Sequence, residues 1–216
     1  ARQLDTAASG SSVSWPGGVQ SGDLAIHINI AATVLSVPTS VVPTDFTNVV
    51  NDTGSGGGLG FRGLVNRRLC DGTESGTITD TTGGLFHYRA LVLYRADPVI
   101  SAINIAGAQS EITNGNPGLQ TVTSGSGTAP LAVFGCYANQ VGISSPSFSP
   151  TSDDDYTADL QGGAAAEIQI SSRFYESSPA NIDTDLGDGG DANFLASFYV
   201  ELTIESGGAA PLLIGL

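Results

Sequence analysis

Short apolar segments recur along the chain, each bounded by Gly, Ser, Thr, Asn or Asp, and this punctuation constrains the fold more than any other feature. Glycine gives up backbone entropy in a helix, and β-branched residues crowd a helical turn, so segments cut this way do not build helices. Strands joined by exposed turns accommodate both. The expected fold is therefore all-β. An antiparallel β-sandwich of jelly-roll type suits it, because each sheet must bury one side. A closed β-barrel is the alternative. Roughly eight to ten strands are expected from the spacing of the turn signals. Residues 1–12 read as an N-terminal arm, 13–206 as a single β domain and 207–216 as an apolar C-terminal tail.

The strand segments follow from β-branched and aromatic runs. Val13–Trp15 is short. In Asp23–Ile30 the residues Leu24, Ile26, Ile28 and Ile30 alternate with Ala25, His27 and Asn29, the period of a half-buried strand. His27 then lies opposite the isoleucines, solvated or covered by a neighbour, in a structural role. Val37–Pro43 carries two prolines and reads as an edge or an extended connection. A strand begins at Phe46–Val50, Asp52–Gly60 is a Gly-rich loop, and Gly60–Leu69 is a strand crossing several Arg. Thr77–Thr79 is short and extended. Leu85–Tyr94 is the strongest segment, with Phe86, Tyr88, Ala90, Val92 and Tyr94 facing the core and His87 and Arg89 on the other parity. Further strands are expected at Ile100–Ile105, Leu131–Ala138, Glu167–Phe174 and Asn193–Ile204, with Asn114–Gly118 a surface turn and Ser144–Tyr156 a long exposed loop.

Composition narrows the function. The formal net charge is −14, charged residues make up only 13%, and lysine is absent. Phosphate binding needs a basic footprint, so no nucleic-acid partner is expected. So little charge implies a surface of small neutral groups, or one lying against other subunits. Arg62, Arg67, Arg68, Arg89 and Arg95 are five of the seven Arg and could form one local positive region; of these, Arg62, Arg67 and Arg68 could pair with the acids of a neighbouring subunit or with local ones. No segment reaches the roughly twenty apolar residues of a membrane span, and Ala1–Asp5 does not read as a secretory signal. Cys70 and Cys136 are expected as buried free thiols, although a disulfide between them is sterically open until the fold is known.

Candidate chemical sites are sparse. In the run from Asp183 to Asp191, the carboxylates of Asp183, Asp185, Asp188 and Asp191 could converge on a calcium ion across a Gly-rich loop. The register is not that of an EF-hand, since no Glu closes the loop, and a solvated acidic turn is the simpler reading. Asp153, Asp154 and Asp155 diverge along an extended backbone and are a weaker group. No other cofactor is expected. Neither His stands in a nucleophile motif and no carboxylate pair is fixed, so the chain is read as non-enzymatic, a β-fold glycosidase being the enzymatic alternative. Trp15, Tyr137, Tyr156 and Tyr175 could stack on a sugar, and each also suits core or interface.

Taken in order, Val13–Pro16, Gly22-Asp23-Leu24, Pro43-Thr44-Asp45-Phe46-Thr47, Tyr88–Asp97 and Ala129-Pro130-Leu131 form a pattern. It resembles that of β-sandwich structural proteins of tailed bacteriophages and prophages, over most of the chain from Val13 to about Ser206. That group usually carries Gly-Trp where this chain has Asp45-Phe46. The resemblance implies a virion component of the tail or capsid surface and supplies no catalytic residues. The expected partners are copies of the chain and other virion proteins, packed through flat strand faces and the apolar segment Pro211–Leu216. A glycan- or host-receptor-binding module is the alternative function.

Overall fold

The computed structural model describes the backbone over residues 2–9, 12–56, 59–80 and 86–95 and in the strands from 102 onward. Side chains are described over residues 12–31, 33–55, 60, 62–80 and 87–95. Among the described residues there are fifteen strands and no helix. They are β1 (Arg2–Ser9), β2 (Ser12–Ser14), β3 (Ser21–Val34), β4 (Thr47–Gly56), β5 (Leu59–Asp71), β6 (Thr77–Thr79), β7 (Phe86–Arg95) and β8 (Ala102–Asn114). Then come β9 (Leu119–Thr123), β10 (Pro130–Ala138), β11 (Ser147–Ser149), β12 (Asp154–Gln161), β13 (Glu167–Phe174), β14 (Asn181–Asp185) and β15 (Phe194–Glu205).

All pairings are antiparallel. One five-stranded sheet runs β1-β7-β3-β5-β4 and a second runs β12-β13-β10-β15-β8, with a three-stranded sheet β11-β14-β9 and a two-stranded one β2-β6. Both large sheets have free ends in their strand order. The described strands therefore form no closed barrel, and that alternative is set aside. Across the two large sheets, β1 comes near β12, β7 near β13, and β3 and β4 near β8.

The alternation expected in β3 and β7 produces one wholly apolar face. Leu24, Ile26, Ile28 and Ile30 stand opposite Tyr94, Val92, Ala90 and Tyr88, and all eight are buried. The reverse face departs from the half-buried pattern. Ala25, His27, Asn29 and Ala31 are buried as well, with Arg89, Leu91 and Leu93 beside them. The small β2-β6 sheet covers this second face, and Val13, Ala25, Cys70, Ile78, Leu91 and Leu93 form its apolar core with Trp15, Val19 and Phe46 packed against it. At about 25 cal/mol per Å² of apolar surface removed from water, this covering layer stabilises the sheet from its polar side.

Several segments differ from the reading of the sequence. Arg2–Ser9, expected in an arm, is an end strand laid along β7. Most of Asp52–Gly60, expected as a loop, is strand: Thr53 stands opposite Arg62 and Gly56 opposite Leu59, while Gly57 and Gly58 lie outside the described residues. Ser144–Tyr156 likewise contains β11 and the start of β12, where Asp155 stands in register with Arg173. The strand total exceeds the expectation because three-residue ladders such as β2 and β6 carry little periodic signal. Of the turn expected at residues 114–118, Asn114 ends β8 and Gly115–Gly118 lie outside the described residues, as does the apolar C-terminal segment.

At the start of β3 the register shifts between Ser21 and Leu24. Gly22 takes φ +89° there, a left-handed conformation that favours glycine. The shift sets Asp23 against Arg95, whose Nε and Nη2 donate to the two carboxylate oxygens at 2.8 and 2.6 Å. Arg95 Nη2 also donates to Gly18 O at 2.7 Å, tying the preceding turn to β7.

Candidate functional site

Two polar features lie on the covered side of the first sheet: a sealed network and an open cleft. The network begins at Asp80, which directly follows β6. Arg89 Nε donates to Asp80 Oδ2 at 2.8 Å, and Arg89 Nη2 bonds Asp80 Oδ1. Asn29 Nδ2 donates to Asp80 Oδ2 at 2.7 Å and to Ser40 Oγ at 3.2 Å. The Asp80 and Arg89 side chains have no exposure. The pairing is what makes a guanidinium tolerable between Tyr88 and Ala90, since burying it alone would cost several kcal/mol.

A second polar row crosses three strands, with His27 of β3 opposite Asn66 of β5 and Asn66 opposite Asn48 of β4. Asn48 Nδ2 donates to Asn66 Oδ1 at 2.9 Å. That leaves the Asn66 amide NH2 to donate to His27 Nδ1 at 3.3 Å. The neutral ring then holds its proton on Nε2, which faces Asp80 Oδ2 from 3.8 Å, beyond a hydrogen bond. Burial lowers the His27 pKa from 6.5 to about 4; Asp80 opposes that and Arg89 adds to it. The imidazole is thus neutral, enclosed and packed at 5.7 Å from the Phe46 ring. Chemically, this network locks β6 to the sheet.

The open feature is a cleft of about 260 Å³ beside the network. Trp15 and Phe46 stack with ring centroids 6.0 Å apart and planes 27° apart. Arg68 places its guanidinium carbon 5.6 Å from the Trp15 centroid. The same guanidinium approaches Glu74 at 3.1 Å and Asp45 at 3.5 Å. Asp45 takes φ +66° in a turn closed by Phe46 N donating to Pro43 O at 3.1 Å. β6 completes the wall: Ile78 points in and is buried, while Thr77 and Thr79 are exposed on the opposite parity.

The residues singled out from sequence are distributed unevenly. Trp15 lines the cleft. Tyr137 lies in β10 and Tyr156 in β12, with side chains outside the described residues, as is all of Tyr175. Asp183 and Asp185 belong to β14, in register with Ser149 and Ser147. The first half of the acidic segment is therefore strand, not loop, while Asp188, Asp191 and Asp153 lie outside the described residues. Among the described side chains, which do not include this segment, no three His, Cys, Asp or Glu groups are placed to hold a metal ion. Cys70 is a buried free thiol, pushed up to about 12 by burial and then by Glu74 and Asp23. The arginine cluster resolves into local partners: Glu74 and Asp45 for Arg68, Asp80 for Arg89, Asp23 for Arg95, and Asn51 for Arg62.

Asp80, Asn66, Asp45 and Phe46 were not singled out as site residues. A usable signal existed for Asp80, because an Arg inside an apolar strand demands a counter-charge from elsewhere in the chain. Compared with known proteins, the chain matches no family model, no curated protein and no solved structure.

Proposed function

We propose that the chain is a non-enzymatic structural subunit of a bacteriophage virion, folded as an antiparallel β-sandwich and assembling with copies of itself in the tail or on the capsid surface. The contacts of β1 with β12, β7 with β13, and β3 and β4 with β8 support the sandwich, because they follow the same order across both sheets. The role in a virion rests on the sequence resemblance.

The observation that carries assembly is the connection between β3 and β4. Residues Val34 to Pro43 contain no charged side chain, in a chain of net charge −14. Val34, Val37 and Val41 are exposed there, and Leu35 is 86% exposed. Leu35 also holds φ +61°, a conformation costly for a residue of its shape. An apolar, uncharged strip on an acidic protein is where two copies approach with least repulsion.

Light scattering across a range of concentrations tests this reading. The expected result is a mass above the 21.9 kDa of one chain that falls on dilution. Leu35→Asn with Val41→Asn is expected to weaken association by at least about tenfold, since Asn accepts the left-handed conformation and removes the apolar contact. A strict monomer at every concentration overturns the assembly role.

A further inference from the structure

We infer that the row His27–Asn66–Asn48 is a proton-operated latch, in which a proton on the His27 ring frees the Pro43–Asn48 entry of β4 from the sheet. The hydrogen bonds of this row run in one direction only, and its outer end fixes that direction.

Asn48 is the fixed end. Its Nδ2 donates to Val50 O at 2.9 Å and Val65 O at 3.3 Å as well as to Asn66 Oδ1 at 2.9 Å. A backbone carbonyl can only accept, so the Asn48 amide cannot be turned round. Asn66 is thereby held with its oxygen toward Asn48 and its NH2 toward His27 Nδ1. The neutral ring accepts that bond. A second proton must go to Nδ1, because Nε2 carries the first, and an imidazolium N–H then meets the Asn66 NH2 at 3.3 Å. Rotating the Asn66 amide mends this contact and creates the same one against Asn48. His27 and Asn66 are fully buried, so no water relieves the mismatch, and a buried donor without a partner is costly.

The charges around the ring do not resolve it. Asp80 draws a proton toward the imidazole, but it faces Nε2 from 3.8 Å, and its Oδ2 already accepts from Asn29 and Arg89. Burial outweighs that pull, with Arg89 adding to burial, and keeps the folded ring neutral down to about pH 4. Elsewhere on this face stand cations: Arg68 in register with Ala25, Arg89 with Asn29, and Arg62 with Ala31, where His87 also lies. Arg68 is met by Glu74 and Asp45. β2 and β6 carry no charge, and Phe46 offers only its ring.

The row gives way at its exposed end. β4 is the last strand of its sheet, whereas β3 lies between β7 and β5. The register shifts directly after Asn48, so Thr47 and Asn48 are the paired residues before the break.

Residue-resolved amide hydrogen exchange of the whole chain by NMR at pH 6.5 and pH 5 tests the latch, each rate being corrected for its intrinsic pH dependence. A ring that titrates at 6.5 when released and at about 4 when enclosed should raise opening at Phe46–Asn48 by about tenfold over this interval. Amides of Leu24–Ile30 and Tyr88–Tyr94 should keep their protection. His27→Gln should abolish the step. Asn48→Ala, a change at an exposed position, lets Asn66 turn its oxygen to the ring and should cut the step to about threefold or less. No step at Phe46–Asn48, an equal step in His27→Gln, or an equal step along β3 and β7 overturns the inference. So does a full-sized step in Asn48→Ala, a variant that reads the latch whether or not His27→Gln folds. These exchange rates report opening within one chain, apart from the assembly role.

Discussion

His27 and Arg89 occupy strand positions that alternate with large apolar neighbours, a pattern that reads as half-exposed until something covers the second face. Asp80 brings that cover. It meets Arg89 and Asn29 directly, while burial, against the pull of Asp80, keeps the His27 ring neutral. The sign of the pH effect follows. Between pH 6.5 and about 4, the unfolded chain takes up a proton at this imidazole that the folded chain excludes, so stability falls as the pH is lowered through that window and is fully present above it. The slope approaches about 1.4 kcal/mol per pH unit. Urea unfolding at pH 6.5 and pH 5 should therefore show a loss of roughly 1.5 kcal/mol that His27→Gln lacks. Equal losses in the two proteins would show that the ring is open to protons. None of this burial was legible in the sequence, because the covering residues lie dozens of positions away. What was legible was that each residue lies on the opposite parity from the main apolar set of its own strand; that the two share a face follows from the β3–β7 register.

Among the elements, the strands with long alternating runs were the readable ones. Asp23–Ile30 falls within β3, Glu167–Phe174 coincides with β13, and Leu85–Tyr94 falls on β7 from Phe86 onward, because one face of each is mostly apolar in the sequence. The β4–β5 pair was readable only in part: Phe46–Val50 and Gly60–Leu69 fall largely on its strands, but the Asn, Asp, Thr and Gly from Asn51 to Gly56 hid the rest of β4. Gly60 has a steric role within it. A Cβ there would collide with the backbone carbonyl of Ser36, so the connection after β3 rests directly on the β5 backbone. Gly60→Ala must push that connection away and is expected to cost about 1–3 kcal/mol in urea unfolding. Gly17→Ala, with nothing within 4 Å, serves as the neutral comparison. The Pro43–Phe46 element behaves similarly. It was noticed as part of a family-like pattern, yet its use, a left-handed turn walling a cleft, needed coordinates to become visible.

For the whole molecule, a net charge of −14 acts on every encounter between copies. If the uncharged Val34–Pro43 strip is the contact, added salt screens the long-range repulsion without weakening the interface. Association should then tighten as sodium chloride rises, because the screening length falls from about 10 Å at 0.1 M to about 3 Å at 1 M. Sedimentation at both salt concentrations checks this. Weakening with salt would point instead to interfacial ion pairs, which the local pairing of Arg68, Arg89 and Arg95 leaves few residues to form.

Burial of β3 and β7 on both sides has a further consequence, for how such a chain can vary. Neither parity of residues 24–31 or 88–94 borders water, so drift there must preserve size on one side and hydrogen-bonding partners on the other. The outer hairpin, with its exposed Asn, Thr and Ser, is under no such double restraint. Substitutions should therefore accumulate in bands, dense at the margins of the sheet and scarce along its spine.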